Sequence, residues 1–325
     1  MSYLAELPSE DPNYNMIHWI RDAVDPSYHY WLTDFVSYLQ HPLYHYSVGK
    51  LLPENLHLEA VHQCTGFNPG IREIDEALNL ARAEDIIFCA PGNLLQQIDS
   101  LGESLLTLKS KGHDIRMVFS AEDCLQIAAL FPEREVIYWS FGFEMALCDT
   151  AKAILKAMQH EIRNFHVLVQ HQSSMQWVLQ RLQQCEQGKQ QGPICHGVLV
   201  PSLTSLCLDE SPYQGLAAKY KKPIVACGYR LGDYLAGVKI LLQQIRQGSH
   251  DFVDQSLRVM NDPMNRQLQA MICKVFAAEY LEMKGSVSLA YKINLQANCQ
   301  QFDARELFAE IKHAYIDSTM KVGVV

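Results

Sequence analysis

Short apolar runs alternate with amphipathic segments over the middle of the chain. Between residues 71 and 249 the apolar runs are "DIIFCAPGN", "DIRMVFS", "REVIYWSFG", "FHVLVQ", "CHGVLVP" and "PIVACGY". Segments with apolar residues at helical spacing separate them, such as "IREIDEALNLARA" and "RLGDYLAGVKILLQQIRQG". This alternation predicts an α/β fold of right-handed β-α-β units around parallel sheets. The runs are apolar nearly throughout, which predicts helices on both faces of each sheet.

The length of 325 residues favours more than one lobe. We expect one α/β lobe over residues 58–148 and a second over residues 149–249, facing a cleft and meeting near residues 142 to 160. The N-terminal segment, residues 1–57, is predicted helical from "NMIHWIRDAV" and "YHYWLTDFVSYLQ". The C-terminal segment, residues 250–325, is predicted helical from "FVDQSLRVM", "PMNRQLQAMICKVFAAEYLEM" and "FDARELFAEIKHAY", with a Ser/Asn/Gln-rich irregular stretch before the last of these.

Composition excludes several classes of protein. The 48% of hydrophobic and 19% of charged residues are typical of a globular protein. The net charge is −9 and the basic residues are scattered, which argues against a nucleic-acid or anionic-membrane surface. No segment has the pattern of a signal peptide or a membrane span. We therefore expect a cytoplasmic protein.

Ten cysteines are present, and none forms a C-x-x-C pair, so most are predicted to be reduced core residues. Cys64 differs because it lies in "HLEAVHQCTGFNPG", after His62 and before a Gly- and Pro-containing turn. A closed zinc or iron–sulfur site needs four ligands, and no partner lies at ligand spacing. Cys64 is thus interpreted as a nucleophilic or partner-contact thiol, or as a loop residue without special chemistry. A metal pair of His41 and His45 is not favoured, because Pro42 would interrupt their helix.

Polar residues and glycines follow the predicted strands, where ligands of parallel sheets gather. The candidate cleft residues are Gly142, Phe143, Glu144, His171, Pro201 and Asp233. Glu144 and His171 are interpreted either as an acid–base pair or as a hydrogen-bonded pair that orders the junction of the lobes. For Asp233, as for Ser173 and Ser205, helix capping is the alternative. The sequence contains no glycine-rich nucleotide motif, no G-x-S-x-G elbow and no H-E-x-x-H.

A succession of short segments runs from about residue 45 to residue 305 and includes "LLPENLHL", "VFSAEDCLQIAALFPEREVIYWSFGFE", "NFHVLVQH", "YQGLAAKYKKPIVACGY" and "FDA". In this order the segments resemble the HypD family. Members of that family supply the scaffold on which the iron, cyanide and carbon monoxide unit of [NiFe]-hydrogenases is assembled. The resemblance implies a HypC-like small chaperone as partner, with a HypE-like protein or the hydrogenase large subunit as further candidates.

The sequence departs from the family pattern at its cysteines. Val36 stands where the family's Cys-Gly-Thr-His motif has its cysteine, and Phe67 replaces the second thiol of the loop in which Cys64 keeps the first. The Gly-Phe-Glu-Thr-Thr motif survives at 142–144 and breaks at Met145. Further departures are Leu203, in place of a histidine, and Arg230, in place of a glutamate; Asp233 remains.

No cysteine follows Cys299, whereas the family continues into a cysteine-rich segment that holds a [4Fe-4S] cluster. The resemblance therefore implies no [4Fe-4S] cluster here. It implies iron that is bound transiently and shared with a partner, with Cys64, beside His62, as the partner or iron contact. The resulting hypothesis is a docking scaffold in hydrogenase maturation rather than a full redox enzyme. Two alternatives stay open: a small-molecule enzyme that uses Glu144 and His171 in the cleft, and a purely structural subunit.

Overall fold

The structure is a computed structural model that describes residues 10–36, 48–60, 69–142, 144–171, 174–187, 194–202, 211–228, 230–255, 263–281, 290–307 and 309. The helices are α1 (Pro12–Ala23), α2 (Ile71–Ala81), α3 (Leu105–Ser110), α4 (Ala121–Leu130), α5 (Glu144–Gln159), α6 (Ser174–Gln187), α7 (Ser211–Tyr220), α8 (Leu231–Gln247) and α9 (Pro263–Val275). The strands are β1 (Tyr30–Asp34), β2 (Leu56–Ala60), β3 (Ile86–Ala90), β4 (Asp114–Met117), β5 (Glu135–Gly142), β6 (Phe165–His171), β7 (Gly197–Pro201), β8 (Ile224–Cys227), β9 (Phe252–Asp254), β10 (Phe276–Leu281) and β11 (Ala290–Leu295).

The chain divides into two compact units, each assembled from separate stretches of sequence. Unit 1 comprises Met1–Cys64, Ser173–Gln267 and Glu282–Ala290. Unit 2 comprises Thr65–Gln172, Leu268–Leu281 and Tyr291–Val325. These units do not coincide with the segments predicted from the sequence. Strand pairing explains the difference, because β1 and β2 join the sheet of β7 while β6 pairs with β5.

Unit 2 is built on a four-stranded parallel sheet in the order β4-β3-β5-β6. Helices connect these strands in turn, as the alternating pattern predicts. Strand β3 is buried along its whole length, and its core includes Phe88, Trp139, Leu168 and Ala304. An uninterrupted apolar strand is stable here because helices cover the sheet and exclude water from both faces. The predicted fold class is confirmed.

Unit 1 contains a five-stranded sheet in the order β2-β1-β7-β8-β9, in which all four strand pairs are parallel. Helices α1 and α8 pack on this sheet, and the core includes Ile20, Leu32, Leu199 and Leu235. The N-terminal strands β1 and β2 therefore extend the sheet that β7, β8 and β9 form. The two remaining strands, β10 and β11, pair with each other.

Four elements differ from the sequence prediction. The predicted helix "YHYWLTDFVSYLQ" contains strand β1 instead, because β2 and β7 supply backbone partners on both of its edges. "FVDQSLRVM" contains the short edge strand β9. The long helix predicted after residue 262 ends at Val275 and is followed directly by β10. The stretch predicted to be irregular contains β11, which is the partner of β10.

Local sequence signals set several helix ends. Asp11 caps α1, since its carboxylate accepts a hydrogen bond from the Asn13 backbone N–H at 2.8 Å, and Pro12 occupies the first turn. Ser120 caps α4 in a reciprocal capping box with Asp123. At the other end of α8, Gly248 adopts a φ of 66° and closes the helix in the left-handed conformation. These caps define where the three helices begin or end.

Candidate functional site

Two of the predicted site residues end neighbouring strands of unit 2. Gly142 is the last residue of β5 and His171 the last of β6, and the two are direct partners in the parallel register. Both therefore lie at the carboxyl edge of the sheet, where the strand-end rule predicts them. The edge is continued by α5, which begins at Glu144.

A chain of hydrogen bonds fixes the imidazole of His171. Its Nε2 lies 2.8 Å from Ser140 Oγ, and Ser140 Oγ lies 2.5 Å from Thr150 Oγ1. Its Nδ1 lies 3.3 Å from the carbonyl oxygen of Gly142. The ring also meets the ring of Phe276 edge to face, with centroids 6.0 Å apart. Both ring nitrogens are thus already engaged inside unit 2.

The hydrogen-bond partners select one tautomer of the neutral ring. A carbonyl oxygen only accepts, so Nδ1 carries the proton and donates it to Gly142. Nε2 then accepts from the Ser140 hydroxyl, and Ser140 Oγ is within hydrogen-bond distance of the Thr150 hydroxyl, which also donates to the Ala146 carbonyl at 3.3 Å. Removal from water disfavours the imidazolium and lowers the pKa of His171 to about 4, although the Gly142 carbonyl opposes the shift. At neutral pH His171 is uncharged and has no free nitrogen to act as a base.

Gly142 occupies a conformation that favours glycine. Its φ is 142°, and a Cβ at this position would stand 3.0 Å from Cβ of Ala146 in the first turns of α5. Any other residue would combine backbone strain with a steric conflict. The glycine therefore lets the chain turn from β5 into α5 while its carbonyl remains aimed at His171.

An open cavity of about 390 Å³ lies beside this edge, and all of its lining residues belong to unit 2. The lining residues are Arg72, Glu73, Glu76, Val169, Gln170, His171, Ile293 and Arg305. Arg305 Nε is 2.6 Å from Glu76 Oε1, and Gln170 Nε2 donates to Glu76 Oε2 at 2.7 Å. Of the two carboxylates in this lining, that of Glu76 is therefore paired with a cation and an amide of the same wall.

In unit 1, two more of the predicted site residues lie at or just after the ends of strands. Pro201 ends β7 and is buried, and Asp233 lies in the first turn of α8. Arg230, not Asp233, holds the cap position of that helix. A Cβ on Gly228 would stand 2.8 Å from an Asp233 carboxylate oxygen, so the carboxylate packs directly on that glycine. The predicted cleft residues are thus distributed over both units, and their arrangement in one cleft remains a prediction.

Asp34 is a buried carboxylate that the sequence analysis missed. It ends β1, accepts the Tyr234 hydroxyl at 2.6 Å and accepts the Val36 backbone N–H at 2.8 Å. Burial first, and then the negative charges of Asp34, Asp233 and Asp254, raise the pKa of the Cys227 thiol. The sequence signal is an aspartate directly after the run "YWLT", but the pattern around that run predicts a helix.

Val36, which stands where the resembling family has a cysteine, is fully buried in the unit 1 core. An aliphatic side chain packs there without any polar requirement.

Cys64, His62 and Phe143 lie outside the described residues, as do His41, His45, Ser173 and Ser205, and so does the side chain of Glu144. The proposed roles of Cys64, His62 and Glu144 therefore stay predictions. Within the described ranges, no three His, Cys, Asp or Glu side chains are grouped so that they could hold a metal ion.

In the part of the chain that is described, no helix combines the length and the apolar character needed to cross a membrane. The fold and strand-end residues define a two-unit α/β protein with polar groups at the carboxyl edges of its parallel sheets.

Comparison with known proteins then places the chain. The HypD family model, described as the hydrogenase formation hypA family, matches residues 14–322. The hydrogenase maturation factor HypD of Cupriavidus necator is 29% identical over 310 residues, covering 95% of this chain and 82% of the relative. That of Rhizobium leguminosarum bv. viciae is 28% identical over 321 residues, covering 98% and 83%. That of Escherichia coli K12 is 28% identical over 270 residues, covering 82% and 70%. The chain belongs to the HypD family.

Proposed function

We propose that this protein serves [NiFe]-hydrogenase maturation as a docking scaffold for a small HypC-like chaperone, and that Cys64 contacts the partner or its iron. The observation that carries the proposal is the family match over residues 14–322. The named relatives are hydrogenase maturation factors, which gives the process. The loss of the paired thiol beside Cys64, where Phe67 stands, favours docking over two-electron thiol chemistry at that loop.

Two features of the described residues support a scaffold over an acid–base enzyme in the cleft. His171 is neutral, and its two ring nitrogens are committed to Ser140 and Gly142. Val36 contributes apolar packing where a thiol would be expected from the family pattern. Neither residue offers a reactive group of the kind that proton transfer or redox catalysis requires.

In this proposal the iron unit is cargo rather than a resident cofactor. A thiolate suits iron that carries cyanide and carbonyl ligands, and Cys64 would supply one such donor while the partner supplies others. His62, two residues earlier, is the second candidate contact. A HypE-like protein or the hydrogenase large subunit would follow as later partners.

The test is anaerobic affinity purification of the tagged full chain from its native host. Co-purifying proteins are identified by mass spectrometry, iron is quantified, and infrared spectra are recorded in the cyanide and carbonyl region. Cys64→Ala is compared with Cys273→Ala, which removes a free, exposed thiol on α9. We expect a small HypC-like protein with both the wild type and Cys273→Ala, together with iron and its infrared bands, and loss of the iron in Cys64→Ala.

The outcomes separate the parts of the proposal. If the wild type co-purifies with a HypC-like partner but without iron, the docking role is supported and the proposed iron contact is contradicted. Equal iron in both variants would remove Cys64 as its ligand. The absence of any hydrogenase-related partner would overturn the docking role itself.

A further inference from the structure

Three histidines lie near the amino-terminal ends of strands in the unit 1 sheet. His29 precedes β1, His57 is the second residue of β2, and His196 precedes β7. His196 is fully engaged, because its Nδ1 accepts the Trp31 backbone N–H at 2.9 Å and its Nε2 lies 2.7 Å from the Tyr28 hydroxyl. His196 therefore fastens β7 to β1, and the other two histidines form a separate pair.

The strand register brings the side chains of His29 and His57 together. Trp31 and His57 are direct partners in the parallel register of β1 and β2, and His29 stands two residues before Trp31. Because side chains alternate along a strand, all three lie on one face of the sheet. His29 Nδ1 is 2.8 Å from His57 Nε2. In the part of the chain that the structure describes, these two side chains form hydrogen bonds only with each other.

The two imidazole rings meet at their edges rather than at their faces. Their planes differ by 8° and their centroids are 5.1 Å apart. Atoms of rings stacked face on face approach to about 3.5 Å. The 2.8 Å between the two nitrogens is shorter, so each nitrogen points toward the other ring. Trp31 stacks on the His57 ring at a centroid distance of 4.1 Å and an angle of 22°, which holds that ring in place.

Two facing imidazole nitrogens are a pair of metal donors once the proton between them is moved. In two neutral rings one facing nitrogen donates this proton and the other accepts it. Zn²⁺ binds histidine nitrogens at about 2.0–2.1 Å, so two nitrogens on one tetrahedral ion stand about 3.3 Å apart. The facing nitrogens therefore need to separate by only about 0.5 Å from their present 2.8 Å. His29 is exposed and His57 is half-buried, so both rings have room for this adjustment.

We propose that His29 and His57 bind a divalent transition-metal ion of the zinc class, with water in its remaining coordination positions. The proton of the facing N–H passes through water to the outer nitrogen of the same ring. Nδ1 of His29 and Nε2 of His57 then both donate a lone pair to the ion. The ion joins the edge strand β2 to β1. The site lies at the amino-terminal ends of these strands, and its existence does not depend on the maturation role.

Titration of the reduced full chain with Co²⁺ alone, as a spectroscopic substitute for Zn²⁺, tests this site. Binding is followed by calorimetry and by tryptophan fluorescence, which a paramagnetic ion quenches at short range. We expect saturable binding with quenching in the wild type. His29→Gln and His57→Gln should each weaken Co²⁺ binding about tenfold or more, since each removes half of the protein donors. His160→Gln, at an exposed position in unit 2, should leave the affinity unchanged.

Trp31→Phe shows where the ion binds. Phenylalanine keeps an aromatic ring against His57, so the calorimetric affinity for Co²⁺ should stay within about twofold of the wild type. Most of the Co²⁺-dependent quenching should disappear, because the tryptophan that contacts the site is gone. Binding should also stabilise unit 1, since only the folded register brings the two nitrogens together, so the thermal midpoint should rise with Co²⁺ concentration.

Several results would overturn the two-histidine site. One is the absence of saturable Co²⁺ binding by the wild type, which would leave the pair as a hydrogen bond between two strands. Another is equal affinity in the wild type and in both glutamine variants. A third is cobalt–thiolate charge-transfer absorption that accompanies the quenching, which would assign the ion to cysteine. Affinity that does not fall between pH 7.5 and pH 5.5 would also contradict imidazole ligands, because a protonated ring cannot bind metal.

Discussion

The ring of His171 is enclosed by Ser140, Gly142 and Phe276, and this enclosure determines its protonation. These three described neighbours satisfy the neutral ring, and none of the three carries a negative charge that would stabilise an imidazolium. A histidine at the carboxyl edge of a parallel sheet suggests an acid–base residue when only the sequence is known. The hydrogen-bond partners assign it instead to the stable framework of the edge, where it joins β5, β6 and α5.

This environment makes unit 2 sensitive to acid. Because the pKa of His171 is about 4 in the fold and 6.5 in an unconstrained histidine, the unfolded chain binds a proton here between these values and the folded chain does not. The contribution of the neutral His171 ring to the free energy of unfolding is complete above pH 6.5, and it is lost as the pH falls to about 4. The difference between the two pKa values of His171 corresponds to about 3 kcal/mol in the free energy of unfolding.

Urea unfolding at pH 7.5 and pH 4.5 measures this contribution. We expect His171→Asn to lose less stability than the wild type between these two pH values, because its side chain does not titrate. His160→Asn, at an exposed position just after α5, is the matched control and should follow the wild type. An NMR titration of the His171 ring with a midpoint near 6.5 would contradict the argument.

At the scale of elements, the sequence predicts those parts in which local pattern and tertiary packing agree. Strands β3 to β8 are found because each is a short apolar run between helices with clear periodicity. Strand β1 is missed because the aromatic residues around Tyr30 are also compatible with a helix. Only its pairing with β2 and β7 favours a strand. Strands β9 to β11 are also missed because only strand pairing distinguishes them from their surroundings: β9 pairs with β8, and β10 pairs with β11, the next strand along the chain.

The same distinction applies to the site. Gly142 and His171 lie at strand ends, as predicted, because the strand-end rule needs only correctly predicted strands; their role in a site remains a prediction. Asp34 is missed together with its strand. The link from His171 through Ser140 to Thr150 depends on how α5 packs against β5, which no spacing in the sequence encodes.

The bond between α8 and β1 in unit 1 is a testable part of this element packing. Tyr234→Phe removes the hydroxyl that donates to the buried Asp34 carboxylate at 2.6 Å. The carboxylate would remain buried with one donor fewer, so we expect the free energy of unfolding to fall by about 2 kcal/mol. Chemical denaturation monitored by a unit 1 probe, such as amide exchange of β1, measures the loss.

Tyr14→Phe on α1 is the matched control for this substitution. The described contact of Tyr14 is with the ring of His18 at a centroid distance of 4.3 Å, which phenylalanine preserves. We expect a change within about 0.5 kcal/mol. Equal losses in both variants would show that the hydroxyl of Tyr234 has no special role.

At the scale of the whole molecule, unit 2 is completed by residues far along the chain. Phe302 and Ala304 are buried, and Asp303 forms a parallel bridge with Val167 on β6. Arg305 reaches Glu76 on α2 and donates to the Val169 carbonyl at 3.1 Å. A sheet whose strands end at residue 171 thus depends on side chains more than 100 residues later. Contacts of such high sequence separation form late in folding because loop closure opposes them.

Phe302→Ala should therefore destabilise elements of unit 2 that are far from residue 302 in the sequence. Phe302 is 2% exposed and its ring meets that of Phe165 at a centroid distance of 6.5 Å, so truncation should cost about 3–5 kcal/mol. Hydrogen exchange with mass spectrometry should show faster exchange in peptides of β6 and α2, with peptides of β1 and β8 in unit 1 as internal reference. Gln301→Ala, at the exposed neighbouring position, should leave all of these peptides unchanged. Faster exchange confined to the residues around 302 would mean that this segment only covers unit 2, and that the sheet is stable without it.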